Sequence, residues 1–124
     1  MHSKKDVDWR GDSRKEVRSW PVRTRDALGA ELMRVQLGAD PRDGATLPEV
    51  GAGVKEIRVR SRGEACRVVY VATFGAMVYV LHAFHKKSKR GIATPKTELD
   101  LARQRYKEVC AEVAGRAAGS RRQQ

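Results

Sequence analysis

The chain has little from which to build a membrane anchor, a disulfide scaffold or a stacking platform. No run of about 18 apolar residues occurs, so no transmembrane helix is expected. Its opening, Met1-His2-Ser3-Lys4-Lys5-Asp6, lacks the apolar stretch of a secretory signal. The only cysteines are Cys66 and Cys110. They fall in a predicted strand and a predicted helix, and read as small buried hydrophobes in a reducing compartment rather than as a bridge. No group of Cys, His and carboxylates has metal-ligand spacing, so neither a metal nor another cofactor is expected. Aromatic residues make up 6% of the chain, too few for a ladder of rings on which single-stranded nucleic acid would stack. Acidic residues are also in short supply. There are 15 Asp and Glu against 26 Lys and Arg, for a formal net charge of +11. A surplus of that size is self-repulsive and fits a polyanionic partner, nucleic acid first. A membrane surface fits less well, because no strongly amphipathic basic helix with a Trp/Phe/Leu face is present.

What remains suffices for one domain: 124 residues, 40% of them hydrophobic. Residues 1–115 read as that domain, and 116–124 as a basic flexible tail. Lys5 to Arg10 alternate polar and apolar like a short strand. Ser13-Arg14-Lys15-Glu16 matches a capping box opening a short helix, which Pro21 ends at Trp20. In a second helix Leu28, Leu32 and Val35 share one face, with Ala27 and Met33 beside them, and Gly38 is its stop. Residues 38–53, rich in Gly, Pro and Asp, read as a long loop. Three strands follow, Val54 to Ser61, Glu64 to Thr73 and Ala76 to about Lys86, joined by the short turns Arg62-Gly63 and Phe74-Gly75. A last helix begins near Thr94-Pro95, with Leu99, Ala102, Tyr106, Val109 and Val113 along one side. The order β-α-α-β-β-β-α predicts an α+β fold: a small antiparallel sheet, two N-terminal helices on one face, and a C-terminal helix.

If both turns are two-residue loops, the pairing of side chains follows. Arg58 faces Arg67, Ile57 faces Val68, Tyr70 faces Tyr79, and Arg67 faces His82. One face then carries Ile57, Val59, Val68, Tyr70, Ala72, Met77, Tyr79, Leu81 and Ala83, a core face for the helices. The other carries Glu56, Arg58, Arg60, Arg67, Val69, Val80, His82, Phe84 and Lys86, with Arg58, Arg67 and His82 in a row. Two guanidinium groups side by side suit a bridging phosphate. A histidine beside them could move a proton near neutral pH. The basic exit of the last strand, Lys86, Lys87, Lys89 and Arg90, would extend the same surface, as would Arg60. The plainer alternative stays open: polar residues on the solvent side of a half-exposed sheet are ordinary, and Glu56 could simply neutralise Arg58 or Arg67.

Three stretches carry a family resemblance. "KEIRVR", "CRVVYVA" and "VLHAFHKKS…TPKTELDLA", together with the element order, resemble the HigB-like, phage-derived branch of the RelE/ParE superfamily of toxin–antitoxin toxins over roughly residues 7–109. The resemblance implies a RelE-like fold and a cytoplasmic toxin that cleaves mRNA on translating ribosomes without a metal, and so inhibits translation. It further implies a cognate antitoxin, in this branch commonly a helix-turn-helix protein. Carried onto this chain, it assigns Arg67 to transition-state stabilisation and Arg58 to the phosphate. Lys86 and Lys87 match the basic strand exit that holds RNA or donates a proton. His82 is the best acid or base by chemistry, although "VLHAF" is also compatible with a structural histidine. Some relatives place a catalytic Tyr in the C-terminal segment, but "TPKTELDLA" has none and Tyr106 falls on the apolar side of its helix. Two other functions share these features: a ParE-type inhibitor of DNA gyrase that cleaves no RNA, and a nucleic-acid-binding module without catalysis.

Overall fold

The computed structural model describes residues 4–61, 64–86 and 94–122. The elements run β1 (Asp6–Trp9), α1 (Ser13–Arg18), α2 (Val22–Gln36), β2 (Gly44–Thr46), β3 (Val54–Ser61), β4 (Glu64–Val71), β5 (Met77–Lys86) and α3 (Lys96–Arg122). The strands form one five-stranded sheet in the order β1-β5-β4-β3-β2. The sheet is mixed rather than wholly antiparallel, because β1 lies parallel to β5. The predicted order acquires one strand. Within the loop expected over 38–53, Gly44–Thr46 pairs antiparallel with Lys55–Ile57. Three residues carry no periodicity to read, and their conformation is set by the edge they join.

Two apolar layers enclose the sheet. Val17 and Trp20, with Leu28, Leu32 and Val35 of α2, pack on Ile57, Val59, Val68, Tyr70, Val78, Val80 and Ala83. The spacing that predicted α2's buried face is the spacing observed, and Gly38 ends the helix region at φ +92. Met33 turns outward, 40% exposed. The capping box does not form. Ser13 is itself the first helical residue, fully buried, and its hydroxyl points to the Val80 carbonyl.

The other face was expected to be open, and it is not. Helix α3 lies across it, packing Ala102 and Val109, flanked by Leu99, Tyr106 and Val113, on Val69, Val71, Tyr79, Leu81 and Phe84. The predicted apolar side of this helix is therefore the side that docks. Each Val or Leu so covered contributes about 1.5–3 kcal/mol relative to exposure. Polar ties reinforce the docking: Arg10 binds Glu112 at 2.6 and 2.7 Å and lies over the Tyr79 ring. That hydrogen bond holds the Glu112 carboxyl below its ordinary value. The helix also continues to Arg122, past the point at which a flexible tail was expected to begin.

The hairpin β3–β4 has the predicted register, with Arg58 opposite Arg67, Ile57 opposite Val68 and Ser61 opposite Glu64. The pairing of β4 with β5 differs. Arg67 faces Phe84, Val69 faces His82, and then Tyr70 faces Val80, which leaves Leu81 as an extra residue in a β-bulge. The connection between the strands is also longer than a two-residue turn, running from Ala72 to Ala76. Alternation resumes on the opposite phase below the bulge. This puts Tyr79 and Leu81 under α3 and Val80 under α1 and α2, reversing the expected assignment of all three.

Candidate functional site

The polar residues of the α3-facing side of the sheet fall into two groups. The first is built on Glu56. Its side chain is fully buried on β3, where an unpaired carboxylate would be untenable. It accepts hydrogen bonds from Arg58 Nε at 2.8 Å and from the Thr94 hydroxyl at 3.0 Å, and Arg67 Nη1 lies 3.6 Å away. Arg67 Nη1 also donates to Thr94 Oγ1 at 3.2 Å. Two arginines directly opposite each other repel; here one carboxylate is shared between them. Thr94, near which the last helix is expected to begin, closes this cluster, while the first turn bonds to the Pro95 carbonyl.

The two arginines differ in access. The Arg58 side chain is 28% exposed, and its terminal nitrogens make no hydrogen bond among the described residues. Arg67 is 3% exposed, and its Nε is buried without a hydrogen-bond partner among the described residues. Arg67 therefore does not line an open groove as expected; it sits beneath Thr94 with one donor unused. A buried guanidinium N–H without an acceptor costs about 1–3 kcal/mol, so the position retains a need for an oxygen ligand.

The second group surrounds His82. The expected row of Arg58, Arg67 and His82 does not exist, because the bulged register sets Phe84, not His82, opposite Arg67. His82 is 4% exposed and stacks on Phe84. Its Nε2 is 2.5 Å from Glu98 Oε2 and its Nδ1 is 2.8 Å from Arg105 Nη1. A guanidinium only donates, so Nδ1 is the acceptor and the ring proton sits on Nε2, donated to Glu98. Both nitrogens are thus committed to α3. Arg105 also donates to the carbonyl of Leu81, the bulged residue, at 3.0 Å and to Asp12 at 3.0 Å. Gly11 lies beneath it at φ +55, where an added Cβ would sit 2.4 Å from the guanidinium carbon. The geometry makes His82 a tie between sheet and helix rather than a free acid or base.

Of the other expected site residues, Arg60 is exposed on β3 opposite Ala65. Lys86 ends β5 opposite Ala65. Lys87, Lys89 and Arg90 lie outside the described residues. Sequence reasoning missed Thr94, Glu98 and Arg105. All three belong to α3 or its approach, and only the docking of α3 on this face brings them to the arginines and His82. Among the described residues no group of three or more His, Cys, Asp or Glu side chains could hold a metal ion, and no helix is long and apolar enough to cross a membrane.

Fold and site together define a class: a small basic α+β domain whose sheet is covered on both faces and carries a carboxylate-bridged arginine pair at the rim of its C-terminal helix. A model of the family described as "Phage derived protein Gp49-like (DUF891)" matches residues 15–107, most of the chain and all of both polar groups except Asp12. The chain belongs to this Gp49-like, phage-derived family. No curated protein matches it. Among solved structures it is similar to a chain of the toxin–antitoxin complex RelBE2 from Mycobacterium tuberculosis, with 20% identity over 71% of this chain and 98% of that one, at a TM-score of 0.41.

Proposed function

We infer that this protein is the toxin of a toxin–antitoxin pair, a HigB-like endoribonuclease that cleaves mRNA on translating ribosomes in the cytoplasm and is held inactive by a helix-turn-helix antitoxin. The observation that carries the reading is the Arg58–Arg67 pair. Two guanidinium groups face each other across adjacent strands, one with its terminal nitrogens open and the other with a buried donor unused. That arrangement suits a phosphodiester whose charge grows during reaction. The family resemblance of "KEIRVR" and "CRVVYVA" and the net charge of +11 support the same reading.

In the reaction, the ribose 2′-oxygen forms a bond to the adjacent phosphorus as its proton goes to a base. The 5′-oxygen then leaves and takes a proton from an acid, giving a 2′,3′-cyclic phosphate and a 5′-hydroxyl. Arg58, the accessible member of the pair, meets the phosphorane oxygens, and Arg67, beneath Thr94, adds its positive charge to their stabilisation. His82, with both nitrogens bonded to α3, holds the helix in place; proton transfer falls to the basic exit of β5, Lys86 and Lys87. Arg60, Lys89 and Arg90 add charge along the RNA.

The test is expression of the wild type and Arg67→Ala from a tight promoter, with mRNA 5′ ends mapped by primer extension. New ends inside reading frames with the wild type, absent with a folded Arg67→Ala, support the nuclease. Growth arrest with intact mRNA and altered DNA supercoiling would instead favour a gyrase inhibitor. Folded protein with neither effect would leave a binding module.

A further inference from the structure

Glu56 has no part in the reaction just described, yet among the described residues its charge is fully buried, more so than Arg67 or His82. A negative charge beside a phosphate-binding pair opposes substrate binding. If two paired arginines were all the site needed, an apolar residue at this position would remove both the desolvation cost and the repulsion. The geometry argues for another role. Glu56 grips Arg58 by Nε, leaving its terminal nitrogens without a hydrogen bond among the described residues, and it is also 3.6 Å from Arg67 Nη1. Its second oxygen receives the Thr94 hydroxyl, which in turn accepts from Arg67. One carboxylate thereby holds Arg58 directly, and Arg67 by its charge and through Thr94, the residue that leads into α3.

We propose that Glu56 is a positioning residue: it orients Arg58 and Arg67 for a phosphodiester and lowers the site's ground-state attraction for RNA. Its charge reduces the local sum from two positive to one, so the arginines hold RNA less tightly than they otherwise would. Their fixed orientation matters most when the phosphorane forms. The role at the reaction rests on the nuclease reading; the orientation and the damping of RNA affinity do not.

Three measurements on the full chain separate these parts. The first is affinity for an uncleavable 2′-O-methyl RNA oligomer, by fluorescence anisotropy. The second is cleavage of the corresponding RNA, or of mRNA on ribosomes, with kcat and KM determined separately. The third is the arginine Nε–Hε region of a ¹H–¹⁵N spectrum. In Glu56→Gln, removal of the charge should tighten RNA binding about threefold or more. Loosened guanidinium groups should lower kcat about a hundredfold, the order expected when a catalytic group is misplaced by about 1 Å. The Arg58 Nε–Hε signal should shift and exchange faster with water. Tighter binding with slower turnover is an outcome that simple loss of fold does not produce. Glu56→Gln that binds RNA more weakly, or that leaves both kcat and the Arg58 signal unchanged, overturns the proposal. If Glu56→Gln does not fold, Glu56→Asp carries the test. Its charge is kept and its carboxylate withdrawn by one methylene, so kcat should fall while RNA affinity holds, and no change in kcat refutes the idea. If the wild type cleaves nothing in either format, the nuclease reading fails by itself. Anisotropy and the Nε–Hε signal then decide alone, tighter binding with a shifted signal sustaining the role and neither change ending it.

Discussion

Arg105→Ala should be among the most damaging single changes on α3, although the residue sits on a polar stripe of that helix. Arg105 supplies the donor for the Leu81 carbonyl, which the β-bulge leaves out of the ladder, and for His82 Nδ1. Its bond to Asp12, a side chain 65% exposed, adds little. Truncation would strip two buried acceptors of this donor at about 1–3 kcal/mol each. Because the Arg105 side chain is itself 15% exposed, water can reach part of the space, and the lower half of that range applies. The expected loss is about 2–4 kcal/mol, a large share of the roughly 5–15 kcal/mol typical of a domain. At about 4 °C per kcal/mol the midpoint would fall by roughly 8–16 °C. Urea unfolding followed by circular dichroism measures the loss. Arg103→Ala is the control: that side chain is 39% exposed and, among the described residues, bonds to Asp100 and the Glu49 carbonyl. It should cost no more than about 1 kcal/mol. Arg105→Lys should recover only part of the loss, since one ammonium cannot span the separate acceptors. If Arg105→Ala proves no more destabilising than Arg103→Ala, the bulge and His82 do not depend on this residue and the account of His82 as a tie to α3 is wrong.

Two further outcomes follow from the same structure. Gly11→Ala combines a positive φ with a Cβ placed against the Arg105 guanidinium, so it should cost about 1 kcal/mol for the backbone and reproduce part of the Arg105→Ala loss. In the double mutant with Arg105→Ala the second component should vanish, which a double-mutant cycle reads directly. Burial raises the Tyr70 phenol to about 12. A group whose native value lies above its unfolded value of 10.0 stabilises the fold below that value. Its contribution should disappear as pH rises from about 10 through 12, seen as alkaline unfolding coincident with tyrosinate absorbance, and Tyr70→Phe should remove that component of the pH dependence.

The hairpin carrying Arg58 and Arg67 was legible from sequence because alternation on both sides of the dipeptide Arg62-Gly63 predicts one register, which the strands adopt. The next hairpin was not. Nothing in "VYVLHAF" announces that Leu81 is a bulge, and the bulge alone moves Tyr79 and Leu81 to one face and Val80 to the other. The docking side of α3 was also legible, from Leu99, Ala102, Tyr106, Val109 and Val113, but not the surface it would meet. A signal was present in the supposed solvent face itself, where Val69 and Phe84 sit between the charges; two large apolar groups there ask for a cover. Once α3 supplies it, the polar residues on that face change meaning. His82 becomes a helix anchor, and Glu56, first read as a neutraliser, becomes the hub on which both arginines and Thr94 converge.

The position of α3 in the chain has a consequence for biosynthesis. Val69, Val71 and Leu81 are translated before the helix that shields them, so the nascent polypeptide carries a bare apolar sheet face until the segment around Ala102 and Val109 has emerged. Products terminated in that interval would expose hydrophobic surface of the kind that drives aggregation and chaperone capture. Those ending before Glu98 would lack it and Arg105, and with them the contacts that hold His82 and the bulge carbonyl. The arginine cluster would then be completed only after α3 has docked, when Thr94 is seated between Glu56 and Arg67, and a chain released before that point would be recognised as misfolded rather than persist with its arginines half assembled.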